Sequence, residues 1–174
     1  MQRRTLLTVG LATGALLAVA GASLALITPA RREGKLTEPA KAMLLAVAKA
    51  VLDTTLPSQA TAQARALDGY LVRLHDTVAG MPPAIQAELD ELVTIAASAP
   101  GRFALVGLRS SWGTATVAEV ADALRSMRDS SLALRQQAFH ALRDLTNGAY
   151  FADRSTWPAI GYPGPREVQT AQTA

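Results

Sequence analysis

The sequence predicts an all-α fold, a small bundle of about five or six helices. Three observations carry that expectation. Apolar residues recur at i, i+3, i+4 and i+7 in one segment after another. Ala, Leu and Arg are abundant while β-branched runs are few, a composition that favours helix. No segment alternates with period two for long enough to argue a strand. At 174 residues the chain allows one domain with an appended segment. It divides into an N-terminal signal or anchor (1–30), a polar spacer (31–38), a helical bundle (39–149), a Pro/Gly/aromatic arm (150–166) and a polar tail expected to be disordered (167–174).

The first helix opens at Pro39, a favoured first-turn position. Leu44, Val47 and Val51 mark its apolar face, Leu45, Leu52 and Leu56 widen it, and it ends before Pro57. Leu67, Tyr70, Leu71, Leu74 and Val78 define a second helix, stopped at Gly80-Met81-Pro82-Pro83. Ile85, Leu89, Leu92, Val93 and Ala96 define a third, ended by Pro100-Gly101. Leu105, Leu108 and Trp112 suggest a short fourth. Thr116 with Glu119 three residues on is a capping-box pattern and opens a fifth along Val117, Val120, Leu124 and Met127. A sixth runs from about Ser131 to Ala149, with Leu134, Ala138, Leu142, Leu145 and Ala149 on one side. Each helix is amphipathic, but the many alanines bury little area per residue, which limits the core.

The N-terminus has its own character. Met1-Gln2-Arg3-Arg4-Thr5-Leu6-Leu7-Thr8 precedes an uncharged run from Leu6 to Ile27, diluted by Gly10, Gly14 and Gly21. Adjacent arginines before Leu6 and Leu7 and a weakly apolar run resemble a twin-arginine export signal. The run exceeds the usual secretory core of about 7–15 residues and also meets the roughly 20 residues needed to span a bilayer. Residues 6–27 are therefore either a cleaved signal or an inner-membrane anchor. Of the small-x-small sequences downstream, Thr28-Pro29-Ala30 is weakened by its proline and Ala40-Lys41-Ala42 lies far from the run. The expected destination is the periplasm. The twin-arginine route carries folded cargo, so a partner without a signal can travel in the same complex.

Composition excludes several chemistries. Cysteine is absent, which removes disulfides, thiol catalysis, Cys-ligated clusters and C-x-x-C-H haem attachment. The net charge is +3, and Arg3 and Arg4 supply two of it, leaving 15 basic against 14 acidic residues. No basic patch with interleaved aromatics points to nucleic acid. Of two histidines, His75 sits at the edge of the second helix's apolar face. His140, with Asp144 one turn on, has the spacing of an oriented base, but that spacing is far more often a solvated helix pair. Glu88, Asp90 and Glu91 have the pattern of a solvated face. There is no G-x-S-x-G, G-x-G-x-x-G or P-loop. No catalytic, cofactor-binding or metal-ligating set is expected in this chain. Arg125, Arg128, Arg135 and Arg143 line the last two helices, either for solubility or toward an acidic partner surface.

The arm holds Tyr150, Phe151, Trp157 and Tyr162, four of the chain's eight aromatic residues. Pro158, Pro163 and Pro165 fix φ and remove donors, so the stretch is expected to be extended rather than helical. Gly161 and Gly164 supply permissive backbone. Large aromatics on a stiff segment lose little entropy on docking. The arm either folds back over its own bundle or lies on another protein.

The paired arginines, the helical body, Trp112 before a short helix, and the closing Tyr150…Trp157-Pro158-Ala159-Ile160-Gly161-Tyr162-Pro163-Gly164-Pro165 together resemble the gluconate 2-dehydrogenase subunit 3 family. Most of the chain is covered, and the tail motif is its specific part. The resemblance implies a non-catalytic small subunit of a membrane-associated, FAD-dependent sugar or alcohol dehydrogenase. Such a subunit binds a large flavin subunit of the glucose–methanol–choline type and serves as its chaperone and export escort. A multihaem cytochrome c subunit often completes the complex. FAD and haem c are then cofactors of the partners, and the twin-arginine translocase is a further partner. Trp112, Tyr150, Trp157, Ile160, Gly161, Tyr162, Pro163, Gly164 and Pro165 are the expected partner-binding residues. The competing expectation is a free-standing, membrane-anchored helical binding module with no oxidoreductase partner.

Overall fold

Helix α1 (Glu38–Leu52) is the element that the helices at Pro83–Ala97, Val117–Arg128 and Ala133–Phe151 pack around. The computed structural model describes residues 27–165, and Arg3, Arg4, Leu6, Leu7 and residues 167–174 lie outside the described residues. The remaining main helices are α2 (Ala60–Ala79), α3 (Pro83–Ala97), α4 (Val117–Arg128) and α5 (Ala133–Phe151). α1 contacts α3, α4 and α5, while α2 lies chiefly against α5. The all-α class is thus observed. Among the described residues no helix is long and apolar enough to cross a membrane.

The periodic faces are the buried ones. α1 buries Ala40, Met43, Leu44, Val47, Ala48 and Leu52, and α2 buries Leu67, Tyr70, Leu74 and Val78 at the spacing that marks an amphipathic helix. Small Ala40 and Ala48 on α1, with Ala96 on α3 and Ala149 on α5, let the helices approach closely. Thr116 caps α4 as its sequence predicts. Its hydroxyl accepts from the Glu119 N–H at 3.2 Å, and the Glu119 carboxylate accepts from the Thr116 N–H at 2.8 Å. Hydrogen bonds from Ser110 and then Thr116 hold the Glu119 carboxyl below its ordinary range.

Tyr70 is completely buried between α2 and α5, its hydroxyl 3.4 Å from Thr146 Oγ1. Burial pushes its phenol up from 10 to about 12, against a smaller opposing effect of the Thr146 hydroxyl. Below pH 10 both folded and unfolded chains hold the proton. Between about pH 10 and 12 only the unfolded chain releases it, so stability falls as pH rises through that window. The full loss is roughly 2–3 kcal/mol, at about 1.4 kcal/mol per pH unit. Denaturant midpoints measured across the window should show the fall, and Tyr70→Phe should flatten it.

Three expectations from the sequence are corrected. The polar spacer is an ordered hairpin. β1 (Arg31–Arg32) pairs antiparallel with β2 (Lys35–Leu36), with Arg31 opposite Leu36 and Arg32 opposite Lys35. Glu33 (φ 51°) and Gly34 (φ 77°) form the two-residue left-handed turn that fits the twist of a hairpin. The expected fourth helix through Trp112 does not form. A short helical turn, Ala99–Gly101, runs into a π turn, Arg102–Val106, closed by Gly107 at φ 83°. Trp112 lies in the loop beyond. Arg135 stabilises this elbow from α5, donating to the carbonyls of Leu105 at 2.9 Å and Val106 at 3.2 Å.

The third correction concerns the arm. α5 continues through Phe151, and Arg154–Ile160 is a 3-10 helix despite Pro158 inside it. Asp153 initiates that turn by accepting from the Ser155 N–H at 2.9 Å. A 3-10 turn relies on short local bonds, so the missing proline donor removes one bond without ending the element. The proline rule excludes a long helix here but not this short one.

A candidate partner interface at the C-terminal hook

Residues 151–165 close into a hook around Trp157. Its indole N–H donates to the Phe151 carbonyl at 2.7 Å. Gly161 (φ 69°) reverses the chain, and the Tyr162 N–H returns to the Trp157 carbonyl at 3.1 Å. The Tyr162 ring then meets the Trp157 ring edge-on, with centroids 5.0 Å apart. The Arg154 guanidinium lies 5.6 Å from the Trp157 ring centroid. Gly164, at φ 99°, passes close to the same indole: a Cβ there would lie 3.5 Å from Trp157 Cζ3. Both glycines sit at positive φ, where a side chain is strained.

The hook is fastened to the body at its base. Arg73 on α2 donates through Nε to the Ala149 carbonyl at 2.9 Å and through Nη1 to Asp153 Oδ2 at 3.2 Å. Its neighbour Gly69 leaves space for that guanidinium, since a Cβ at residue 69 would come within 3.0 Å of Arg73 Nη1. Hydrogen bonds from Ser155, reinforced by the charge of Arg73, hold the Asp153 carboxyl below its ordinary range. The Tyr150 hydroxyl donates to the Thr55 carbonyl at 3.3 Å, tying α5 to the 3-10 turn Asp53–Thr55. Burial raises the Tyr150 phenol, with Arg73 opposing the shift. Between hook and body lies a cleft of about 590 Å³, bordered by Thr55, Pro57, Arg65, Arg73, Asp153 and Thr156.

The expected partner-binding residues therefore divide. Trp112 is 6% exposed and Tyr150 2% exposed, both within the chain's own core. The Trp112 indole donates to the Ala96 carbonyl at 2.9 Å. In the folded chain both side chains are covered almost entirely by the subunit's own residues. Trp157 is half-buried and forms the centre of the hook. Gly161 and Gly164 shape its backbone. Ile160, 50% exposed, and Tyr162, 45% exposed, face solvent together with Pro163 and Pro165. This is a small apolar surface on a braced support.

Arg73, Asp153 and Thr55 brace the hook without any local sequence signal. Their partners are 80 or 95 positions away, and no periodicity links them. The histidines take part in other contacts. His75 Nδ1 accepts from Arg31 Nη1 at 2.9 Å, and the His140 ring lies edge-on to Phe139. Asp144 pairs with Arg143. Among the described residues no three His, Cys, Asp or Glu side chains form a group that could hold a metal ion. No protein-family model, no curated protein and no solved structure matches the chain.

Proposed function

We propose that the chain is the non-catalytic small subunit of an FAD-dependent sugar or alcohol dehydrogenase complex of the glucose–methanol–choline type. In this role it acts as assembly chaperone and twin-arginine export escort for the flavin subunit. The single observation that carries the proposal is the hook. It holds Ile160 and Tyr162 outward on a backbone already fixed by Trp157, Gly161 and Gly164. A preorganised aromatic on a rigid turn loses little freedom on binding, and such residues supply most of the energy of an interface. The paired Arg3-Arg4 ahead of an uncharged run supports the export half.

The test is co-expression of the tagged chain with the coding sequences that neighbour its own, among which a flavin dehydrogenase without its own export signal is expected. The expected result is a complex containing bound FAD, found in the periplasm. Tyr162→Ala with Ile160→Ala should weaken co-purification at least about 30-fold, the equivalent of about 2 kcal/mol for a buried aromatic anchor. The melting temperature of the isolated subunit should hardly move. Trp157→Ala should affect both measurements, because it removes the centre of the hook. Wild-type recovery of the complex by the Tyr162/Ile160 variant would reject the hook as the interface. Capture of no flavoprotein would reject the dehydrogenase reading.

The export half has its own prediction. Arg3→Lys with Arg4→Lys should leave chain and flavin subunit in the cytoplasm while the complex still forms there. Unchanged periplasmic dehydrogenase activity in that variant would show that residues 6–27 act as an ordinary secretory signal or anchor.

A further inference from the structure

The two small-x-small sequences nearest the apolar run, Thr28-Pro29-Ala30 and Ala40-Lys41-Ala42, are closed by the fold. Ala30 is 1% exposed, its N–H donating to Thr94 Oγ1 at 2.8 Å and its carbonyl accepting from the Thr37 N–H at 2.9 Å. The Pro29 carbonyl accepts from the Thr37 hydroxyl at 2.8 Å. One residue on, Arg31 reaches two helices at once. Its Nε donates to Asp90 Oδ1 on α3 at 2.8 Å and its Nη1 to His75 Nδ1 on α2 at 2.9 Å. The hairpin of β1 and β2 follows directly. Residues 29–37 thus form a clasp across α2 and α3. The second sequence, Ala40-Lys41-Ala42, lies in the first turns of α1, with Ala40 and Met43 both 0% exposed.

We propose that this clasp sets the limit of N-terminal processing, so that the body from Thr28 onward survives export whole. The inference rests on the export reading above, because a cargo that folds before translocation meets the signal peptidase already folded. Cleavage is hydrolysis of one peptide bond. Water is consumed, the released leader gains a carboxylate and the remaining chain gains an α-ammonium group. Peptidases act on segments that are exposed or transiently open. A cut behind Ala42 would place the new ammonium on fully buried Met43, an unpaired charge in the core. It would also remove Ala30, Leu36 and Ala40 from the apolar cluster. A cut behind Ala30 would take away the partners of Thr94 and Thr37. Neither of these two small-residue sites is open in the folded chain.

Two measurements on the full chain test this. The first is N-terminal sequencing and intact mass of the protein recovered from the cell envelope. A first residue at Thr28 or earlier, Met1 included, is expected. A first residue at Arg31 or Met43 would overturn the inference. The second is independent of export: the purified full chain is exposed to elastase, which cuts behind small residues. The resistant product should retain Thr28. Arg31→Ala with Thr94→Val should speed cutting behind Ala30 by about 5-fold or more, since proteolysis follows the open population. Wild-type cutting behind Ala30 or Ala42 as fast as in the denatured chain, or an unchanged rate in the variant, would overturn the inference. A chain that stays in the cytoplasm yet resists elastase at both sites would defeat the export reading alone.

Discussion

Replacing Trp112 with Ala is expected to destabilise the isolated subunit by about 3–5 kcal/mol, the range for truncating a large buried aromatic. The melting temperature should fall by roughly 6–20 °C, at about 2–4 °C per kcal/mol for a chain of this size. The indole is buried in the loop between α3 and α4 and donates to the Ala96 carbonyl at 2.9 Å. Truncation leaves a cavity and an unpaired buried carbonyl together. Trp112→Phe separates the two effects. It keeps most of the packing and removes the donor, and should lose about 1–3 kcal/mol. Thermal and denaturant unfolding of the isolated subunit measure both. The family resemblance implies a partner-binding role for Trp112, and that role predicts the opposite pattern: an unchanged melting temperature with a weakened complex. Such a result would overturn the assignment of Trp112 to the chain's own core.

The helices were legible because their signal is local. Leu67, Tyr70, Leu74 and Val78 sit at helical spacing, and all four are buried. Thr116 and Glu119 encode their cap within four residues, and both halves of it form. The same spacing misled at Leu105, Leu108 and Trp112. All three contribute to the apolar cluster, but from a π turn and a loop rather than one helix. Apolar periodicity reports burial, and backbone path is a separate property. The hairpin was missed because strands of two residues are too short to show alternation. In the candidate site, the aromatic hook could be located from composition, but its shape could not. Trp157 turns inward because Gly161 and Gly164 let the chain double back on it, and Tyr162 is left partly outward. The Arg73–Asp153 brace depends on a contact across 80 positions, which a single sequence does not encode locally.

Gly101→Ala is expected to be the most damaging small substitution in the body, and its sign is opposite to the usual rule. Gly101 has helical backbone angles, φ −69° and ψ −39°. At an ordinary helical glycine, alanine stabilises by about 0.4–1 kcal/mol through a less flexible unfolded chain. Here a Cβ would overlap the Ile95 carbonyl oxygen and lie 2.6 Å from its carbon. These are backbone atoms, so no rotamer change relieves the contact. Relief requires the 99–106 elbow to move away from α3. That movement would break the Ser98 link, in which the hydroxyl accepts from the Gly101 N–H at 3.1 Å and donates to the Ile95 carbonyl at 2.7 Å. It would also disturb the seat of Trp112. A loss of about 3 kcal/mol or more is expected, at or beyond the upper end for overpacked sites. Gly107→Ala is the control. Its φ of 83° makes alanine strained, but the nearest atom to a new Cβ is the flexible end of Arg135 at 3.1 Å. Its loss should stay near 1 kcal/mol, the penalty of a left-handed alanine. Denaturant unfolding of the two variants beside wild type gives the comparison. A stabilised Gly101→Ala protein would mean that the elbow does not approach α3 as the structure has it. The glycine would then be only the helix stop that Pro100-Gly101 suggests in the sequence.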